Sequence, residues 1–410
     1  MNTKDVKKII KDTAYRRMCG KDSEKKAANY LLDYCKKLGV DAVIESFPTA
    51  CGDVKSSKLI ADGVEIPCEG YENCGSGKVT APLLYMPNVD KYSLSQVKGK
   101  VVMIDSSYMD YFTYQDIEKA GAVGFITRNG DMNQPHHDID VMVLHEGTCK
   151  NRKMLAANIN IKDQFKMIKM GTKEVTIEVE QDEYMGTSQN VVASIPGLKD
   201  EWIVMSAHYD SRYLSLGSYD NMTGCVSLLY AMEKLSKGAP HNYGIKFVFC
   251  GGEELGELGS LAYVDKHKDE LDKYMLNVNV DMIGTYLGKF HARVSAEEKL
   301  ANYIEYTCAM KAWPIGVRVG AYSSDSTAFA GFGVPALSFA RQAEDEAAPI
   351  HNRYDTPAVL SEKQILTDCD FICEFVREFA DGAVCPIGRD IPEKVKKELD
   401  DHLNIKKLED

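Results

Sequence analysis

Residues 201–210, EWIVMSAHYD, decide the fold, because an apolar run there ends on a histidine and an aspartate. This pattern predicts a buried β-strand that carries polar side chains at its carboxyl end. Similar apolar runs follow at 244–254 (GIKFVFCGGEE), 275–284 (MLNVNVDMIG) and 334–340 (VPALSFA), and helical patterns separate them. Strands that alternate with helices are typical of a sheet covered by helices on both faces. The chain after about residue 190 is therefore predicted to be an α/β domain.

The chain before residue 190 shows two different sequence patterns. Residues 23–39, SEKKAANYLLDYCKKLG, carry apolar side chains at helical spacing, and residues 40–47, VDAVIESF, alternate like a strand. From about residue 50, short β-like runs are broken by glycine, proline and asparagine. We therefore expect one α/β domain, residues 1–49 and 181–410, interrupted by a β-rich insert at 50–180.

Composition excludes several classes of protein. The chain has 410 residues and a net charge of −12, which argues against a nucleic-acid partner or an anionic membrane surface. Every apolar run is well short of the roughly 20 residues that a membrane-spanning helix needs. The charged first residues, MNTKDVKKIIKDTAYRRM, predict no signal peptide, and the twelve cysteines contain no C-x-x-C pair. We expect reduced thiols and a cytoplasmic location.

Acidic residues and histidines collect where the predicted strands end, which is where open α/β sheets bind ligands. His208 and Asp210 end the first strand and are two positions apart, so both side chains point the same way. Asp210 is placed to hold the imidazole of a metal-binding histidine. Taken alone, His208 could instead form an ordinary hydrogen bond. Asp220, in GSYDNMTG, could be a helix N-cap.

Further candidates follow the next strands. Glu253 and Glu254 are adjacent, so one could bind a metal while the other reaches a water molecule, although a solvated helix start is the ordinary alternative. Asp281 ends an almost wholly apolar strand, which is a poor place for an unpaired charge. His351 lies in the loop APIHNRYDTP. Two divalent ions that share one carboxylate would use the whole set of two imidazoles and three carboxylates, namely His208, Asp220, Glu254, Asp281 and His351.

The motifs SAHYDS, GSYDNMTG, GGEELGELGS, VNVDMIG, SSDSTAF and IHNRYDT occur in the order and at spacings that resemble the co-catalytic zinc aminopeptidase family. That family also contains glutamate carboxypeptidases and the transferrin receptor. The segments VKGKVVMID and IEKAGAVGFIT of the insert are similar to a protease-associated domain. The resemblance covers about residues 10–380. It implies a three-layer zinc-exopeptidase fold, with a mixed central sheet between helices and an inserted protease-associated domain.

The resemblance also implies roles for individual residues. His208 and Asp281 would hold one zinc ion, Glu254 and His351 the other, and Asp220 would bridge them. Glu253 would be the general base, assisted by Asp210. The family has a cis peptide bond after the bridging aspartate, which implies a cis bond between Asp220 and Asn221. Manganese or cobalt would also suit such carboxylate-rich sites.

The sequence departs from the family at the substrate-binding side. Many relatives have a tyrosine before the last histidine, where its hydroxyl assists the oxyanion, whereas this chain has Ile350. We expect Tyr322 or Ser324 to supply that donor, and Ile350 to line an apolar pocket for the first residue of the substrate. Arg212 has no counterpart that we can assign and is a candidate substrate contact.

These expectations describe a zinc-dependent exopeptidase, most simply an aminopeptidase acting on peptides. A carboxypeptidase or dipeptidase of the same family is the first alternative, since Arg212, Arg341 and Arg353 lie near the motifs and arginine suits a substrate carboxylate. A non-catalytic binding protein on the same fold is the second, although no ligand is lost here. The sequence leaves a homo-oligomer open.

Overall fold

The computed structural model of the chain describes residues 1–403. Its strands are β1 (Ala42–Ala61), β2 (Val64–Ile66), β3 (Cys68–Gly70), β4 (Gly77–Met86), β5 (Val101–Ile104), β6 (Gly124–Asn129), β7 (Leu155–Asn160), β8 (Glu174–Ile195), β9 (Trp202–His208), β10 (Gly244–Cys250), β11 (Tyr274–Val280), β12 (Lys289–Ser295), β13 (Gly316–Val319) and β14 (Ala336–Gln342). Its α-helices are α1 (Thr3–Asp12), α2 (Asp22–Lys37), α3 (Lys91–Leu94), α4 (Tyr111–Lys119), α5 (Ile161–Met170), α6 (Thr223–Leu235), α7 (Leu258–Lys266), α8 (Glu298–Met310), α9 (Ser326–Gly331), α10 (Glu362–Ala380) and α11 (Glu393–Leu403).

The chain divides into two compact units. The first contains Met1–Phe47 and Thr187–Asp410, and the second contains Pro48–Gly186. A discontinuous unit of this kind forms when a chain leaves one core, builds a second core and returns. The assignment of the two parts to a peptidase domain and a protease-associated domain stays a prediction.

The first unit is built on a mixed sheet. Its strands lie in the order β13, β12, β14, β11, β9, β10 and β8. The central strands β14, β11, β9 and β10 are parallel, while β12 and β8 run antiparallel to their neighbours β14 and β10. Because the central strands are parallel, their carboxyl ends meet at one edge of the sheet. The polar strand ends of the sequence therefore lie at the same edge.

Helices cover both faces of this sheet. Ile203, Met205 and Ala207 of β9 face one hydrophobic cluster, which also receives buried side chains from α1, α2, α6, α8 and α10. Val204 faces the opposite cluster, which contains buried residues of α7, α9 and α11. The alternation follows from the two-residue period of a strand. The predicted three-layer α/β fold, with a mixed sheet between helices, is confirmed.

The second unit has its own sheet and core. Strands β4, β5, β6 and β7 are parallel, β3 is antiparallel to β7, and β1 pairs with β2 through an antiparallel hairpin. The buried core includes Val101–Ile104 of β5 and Phe125 and Ile126 of β6. A unit with its own buried core is what an inserted domain requires.

One helix differs from the sequence-based prediction. The helical pattern of residues 260–274, SLAYVDKHKDELDKY, does not form one helix, because α7 ends at Lys266 and a 3-10 segment follows at Lys268–Lys273. His267 lies at the break, where its Nε2 atom is 3.1 Å from the Glu45 carboxylate. That contact is distant in sequence, so a local pattern does not reveal it.

Within residues 1–403, no helix is long and apolar enough to cross a membrane.

Candidate metal centre

His208 and Asp281 meet because they follow neighbouring parallel strands. His208 is the last residue of β9, and Asp281 directly follows β11. The His208 Nε2 atom lies 3.6 Å from an Asp281 carboxylate oxygen, and both side chains are buried. The two residues therefore form one side of a polar cluster at the carboxyl edge of the sheet.

Asp220 lies between the two histidines. One of its carboxylate oxygens is 3.1 Å from the His208 Nε2 atom. The other oxygen is 3.1 Å from the His351 Nε2 atom. Asp220 does not cap a helix, because α6 begins at Thr223 after a kinked segment and has no side-chain cap. The expected cis peptide bond between Asp220 and Asn221 is present.

The adjacent glutamates have different surroundings. Glu254 places a carboxylate oxygen 3.0 Å from the His351 Nε2 atom. Glu253 places one 3.7 Å from the His208 Nε2 atom. Both follow β10, and Glu254 is buried, so a solvated helix start does not explain the pair.

Asp210 supports the cluster from behind. Its carboxylate lies 3.3 Å from the His208 Nδ1 atom, on the side of the ring that faces away from Asp220. It also accepts hydrogen bonds from the backbone N–H groups of Glu253 and Glu254, each at 3.1 Å. Asp210 therefore orients one imidazole and the glutamate turn together.

The cluster has the donor set of a metal site. Two overlapping groups bring their ligand atoms within 4.8 Å of one another: His208, Asp220 and Asp281, and then Asp220, Glu254 and His351. Within residues 1–403, the buried atoms that form no hydrogen bond include His208 Nε2, Glu254 Oε1 and Asp281 Oδ1. Buried polar atoms without partners are costly unless something else binds them, and a divalent cation between them would do so. The residues therefore fit divalent metal ions.

The pKa values of the clustered side chains also favour a bound cation. Burial alone lowers the pKa of His351, but Glu254 and Asp220 outweigh it and raise that pKa to about 10. Burial likewise lowers the pKa of His208, and Glu253, Asp210, Asp220 and Asp281 raise it well above the usual value. The carboxylates thus create a strongly negative field that favours a cation at this place. Burial raises the pKa of Glu253, and Asp281 and Glu254 add to this effect.

The arginines near the motifs differ in their contacts. Arg212 donates from Nε to a Glu254 oxygen at 2.8 Å. Arg341 binds Asp368 through Nε at 2.8 Å and through Nη2 at 2.6 Å. Because both arms of its fork are engaged by that buried carboxylate, Arg341 is not placed to hold a substrate carboxylate. Arg212 contacts a predicted metal ligand, which the sequence did not indicate.

The residues that were predicted to bind the substrate have different surroundings. Burial raises the pKa of the Tyr322 phenol well above its usual value, and the charges of Asp281, Asp220 and Glu253 add to the shift. Ser324 is fully buried and accepts a hydrogen bond from Asn279 at 2.9 Å. The expectation that Ser324 contacts a substrate stays a prediction. Ile350 is half-buried beside His351.

Two residues that position the Asp220 segment had no role in the sequence-based prediction. Asp355 is buried and accepts hydrogen bonds from the backbone of Tyr219 at 2.7 Å and from Ser215 Oγ at 2.9 Å. Arg17 is fully buried and donates to the Tyr209, Leu216 and Gly217 carbonyls, among others. Asp355 lies in the quoted motif IHNRYDT, which was a usable signal, whereas nothing in the local pattern marks Arg17.

Comparison with known sequences finds a similar family for the later part of the chain. The model of peptidase family M28 matches residues 190–376, and this range contains all of the predicted metal ligands. Residues 190–376 of the chain are therefore similar to peptidase family M28. A related sequence is aminopeptidase YwaD of Bacillus subtilis, which is 27% identical over 83% of this chain and 75% of that protein.

Other relatives widen the comparison. Mouse carboxypeptidase Q is 25% identical, over 52% of this chain and 48% of its own length. The solved structure of BSAP, a zinc aminopeptidase from Bacillus subtilis, has a TM-score of 0.78 at 22% identity and covers 96% of this chain and 99% of that chain. This structural likeness shows that the two chains share a fold.

Proposed function

We propose that the chain is a zinc-dependent exopeptidase that removes N-terminal residues from peptides. The observation that carries this proposal is the Asp220 carboxylate, whose two oxygens each lie 3.1 Å from a different histidine. A carboxylate between two sets of ligands is the arrangement that two metal ions need in order to share a ligand. The names of the relatives, a zinc aminopeptidase and an aminopeptidase, support the same activity.

The donor set divides between two zinc ions. His208 and Asp281 would hold one ion, Glu254 and His351 the other, and Asp220 would bind both. Bound zinc supplies Lewis acidity that polarises a carbonyl and lowers the pKa of water. Manganese or cobalt would suit the same carboxylates and imidazoles.

Glu253 is the proposed general base. Its carboxylate lies beside the cluster, 3.7 Å from the His208 Nε2 atom, without completing either group of ligands. In peptide hydrolysis Glu253 would accept a proton from the attacking water and pass it to the leaving amine. Asp210 would hold Glu253 in place through the backbone hydrogen bond of 3.1 Å.

Tyr322 is the proposed donor to the oxyanion that forms on the scissile carbonyl. Burial raises the pKa of this phenol, and the charges of Asp281, Asp220 and Glu253 add to the shift, so the phenol keeps the proton that an oxyanion donor needs. This donor would replace the tyrosine that many relatives have at the position of Ile350. Ile350 would then line an apolar pocket for the first residue of the substrate.

Cleavage at the amino end requires a partner for the substrate α-ammonium group. Glu254 and Asp281 offer carboxylates in the cluster for that role. A carboxypeptidase or dipeptidase would instead need a cation for the substrate carboxylate, and the match to carboxypeptidase Q keeps this as the second candidate. Arg341 is bound to Asp368. In a carboxypeptidase, the substrate carboxylate would therefore be bound by Arg212 or Arg353.

Removal of the metal tests the proposed function. The purified protein should hydrolyse leucine p-nitroanilide, lose this activity after treatment with a chelator, and recover it when zinc is added. Activity that chelation leaves unchanged, in a protein without divalent metal, would contradict the proposal. A protein that neither binds zinc nor cleaves any peptide would favour the non-catalytic binding protein instead.

Blocked peptides separate the two exopeptidase candidates. We expect N-acetylation of a short apolar peptide to abolish cleavage, and C-terminal amidation to leave the rate unchanged. Loss of cleavage on amidation, with tolerance of acetylation, would support the carboxypeptidase. Products are identified by mass spectrometry.

The proposal also covers the inserted domain, the cellular location and the partners of the protein. Residues 50–180 are proposed to be a protease-associated domain, which the parallel strands β4–β7 support. A cytoplasmic location is supported by the twelve cysteines, which form no disulfide bond in the described residues 1–403. The proposed partner is a peptide substrate, and a homo-oligomer stays open to measurement by sedimentation.

A further inference from the structure

The two groups of predicted metal ligands have neighbours of opposite charge. Behind His208 lies the anionic Asp210, 3.3 Å from the Nδ1 atom. Beside Glu254 lies the cationic Arg212, whose Nε atom is 2.8 Å from Glu254 Oε2. The first neighbour strengthens a metal ligand, whereas the second withdraws charge from one.

Arg212 contacts the Glu254 oxygen that lies nearer to His351. Glu254 Oε2 is the oxygen that lies 3.0 Å from the His351 Nε2 atom, so it points toward the place where these two ligands would meet a metal. The guanidinium therefore competes for an oxygen lone pair and adds a positive charge close to the cation. Coulomb repulsion between two cations a few ångströms apart is large in a site removed from water.

The two groups also differ in exposure. The His208 side chain is 1% exposed and the His351 side chain is 44% exposed. A ligand at the surface is less firmly held in one position, and it pays more conformational entropy on binding. Exposure and charge therefore both weaken metal binding at Glu254 and His351.

We propose that Arg212 is a positioning residue that weakens metal binding at Glu254 and His351, so that the ion held by His208 and Asp281 binds first and more tightly. This inference rests on the proposed function, because it assumes that both groups bind metal. The exchange of the second ion, and with it the fraction of active enzyme, would then depend on the zinc concentration and on one arginine outside the ligand set.

Zinc titration of the metal-free, full-length protein tests the inference without any activity measurement. Zinc is added in competition with a chromophoric chelator, and the wild type should bind two ions in a tight and a weaker step. The variant Arg212→Met should tighten the weaker step at least tenfold and change the tight step by less than about threefold. Arg212→Gln, which also removes the charge, should behave alike if the methionine variant fails to fold.

Two further variants assign the steps. His351→Ala should abolish the weaker step and keep the tight one. Arg16→Met is the matched control, because the exposed Arg16 packs over the Tyr213 ring, next to Arg212 in the chain, with 4.4 Å from its guanidinium carbon to the ring centroid. It should change neither step by more than about threefold.

The outcomes distinguish the inference from the proposed function. If the wild type binds no zinc, the proposed function fails together with the inference. If two ions bind but both neutral variants leave the weaker step unchanged or weaken it further, only the role of Arg212 is wrong. Loss of the tight step in His351→Ala would also overturn the proposed order.

Discussion

Glu253 and Glu254 show how two neighbouring carboxylates acquire different roles from their surroundings. Glu254 contacts His351 and Arg212, whereas Glu253 approaches only the edge of the cluster at His208. Glu253→Gln should keep both metal ions and lower kcat by about 10²–10⁴, the usual contribution of a general base. The zinc content by atomic absorption and kcat by a chromogenic assay check this.

The control for this prediction is Glu254→Gln, which should lose zinc as well as activity. If Glu253→Gln loses zinc while Glu254→Gln keeps it, the two roles have been exchanged. Both variants remove one negative charge, so their comparison is not affected by net charge.

Tyr322 carries a separate prediction at the scale of one atom. Tyr322→Phe removes only the hydroxyl and should lower kcat by about 10²-fold, because one donor to the oxyanion is lost. The zinc content should not change. Tyr306→Phe is the control, since Tyr306 is 73% exposed on α8, and it should leave kcat unchanged. A kcat for Tyr322→Phe equal to that of the wild type would exclude this phenol as the donor.

At the scale of elements, helix α11 contacts two loops that carry site residues. The His402 Nε2 atom lies 2.7 Å from Glu257, three residues after Glu254. Glu398 accepts a hydrogen bond from the backbone N–H of Ala321, next to Tyr322, at 3.0 Å. The helix is held there by buried Val395 and Leu399. Its docking thus links the glutamate turn to the tyrosine loop.

The pH dependence of stability tests the docking of α11. The hydrogen bond to Glu257 raises the pKa of His402, while burial opposes this. A raised pKa in the folded state stabilises the fold fully below the unfolded value of about 6.5, and this contribution is lost as the pH rises through the folded pKa. We expect His402→Gln to destabilise the protein most below pH 6.5 and progressively less above it, in urea unfolding at several pH values.

Lys394→Gln on the same helix is the control. Lys394 forms an exposed ion pair with Glu398, so its variant should lower the stability only slightly, by a similar amount at each pH. An effect of His402→Gln that is equal at pH 5.5 and pH 8.5 would contradict the account of α11.

At the scale of the whole molecule, the sequence predicts those strands whose apolar residues form a continuous local pattern. The apolar runs that become β9, β10, β11 and β14 are visible as uninterrupted patterns, and the polar residues at their ends follow from the same runs. Strands β12 and β13 were not predicted, because their short, half-exposed sequences, KFHARVS and GVRV, lack a continuous apolar pattern.

The site likewise contains some residues that the sequence predicts and some contacts that it does not. Residues at the end of a strand or directly after it, such as His208 and Asp281, could be predicted because parallel strands bring their carboxyl ends together. Contacts such as Arg212 with Glu254, or Asp355 with the Asp220 segment, join parts of the chain that are 42 and 135 residues apart. Such contacts depend on tertiary packing, which no local pattern reports.

The central claim is that Asp220 is shared by two metal ions. Anomalous diffraction at the zinc edge, from crystals of the zinc-loaded protein, tests it most directly. We predict two anomalous peaks on opposite sides of the Asp220 carboxylate, one beside His208 and Asp281 and the other beside Glu254 and His351. A single peak at saturating zinc, or two peaks of which either lies away from Asp220, would contradict the account.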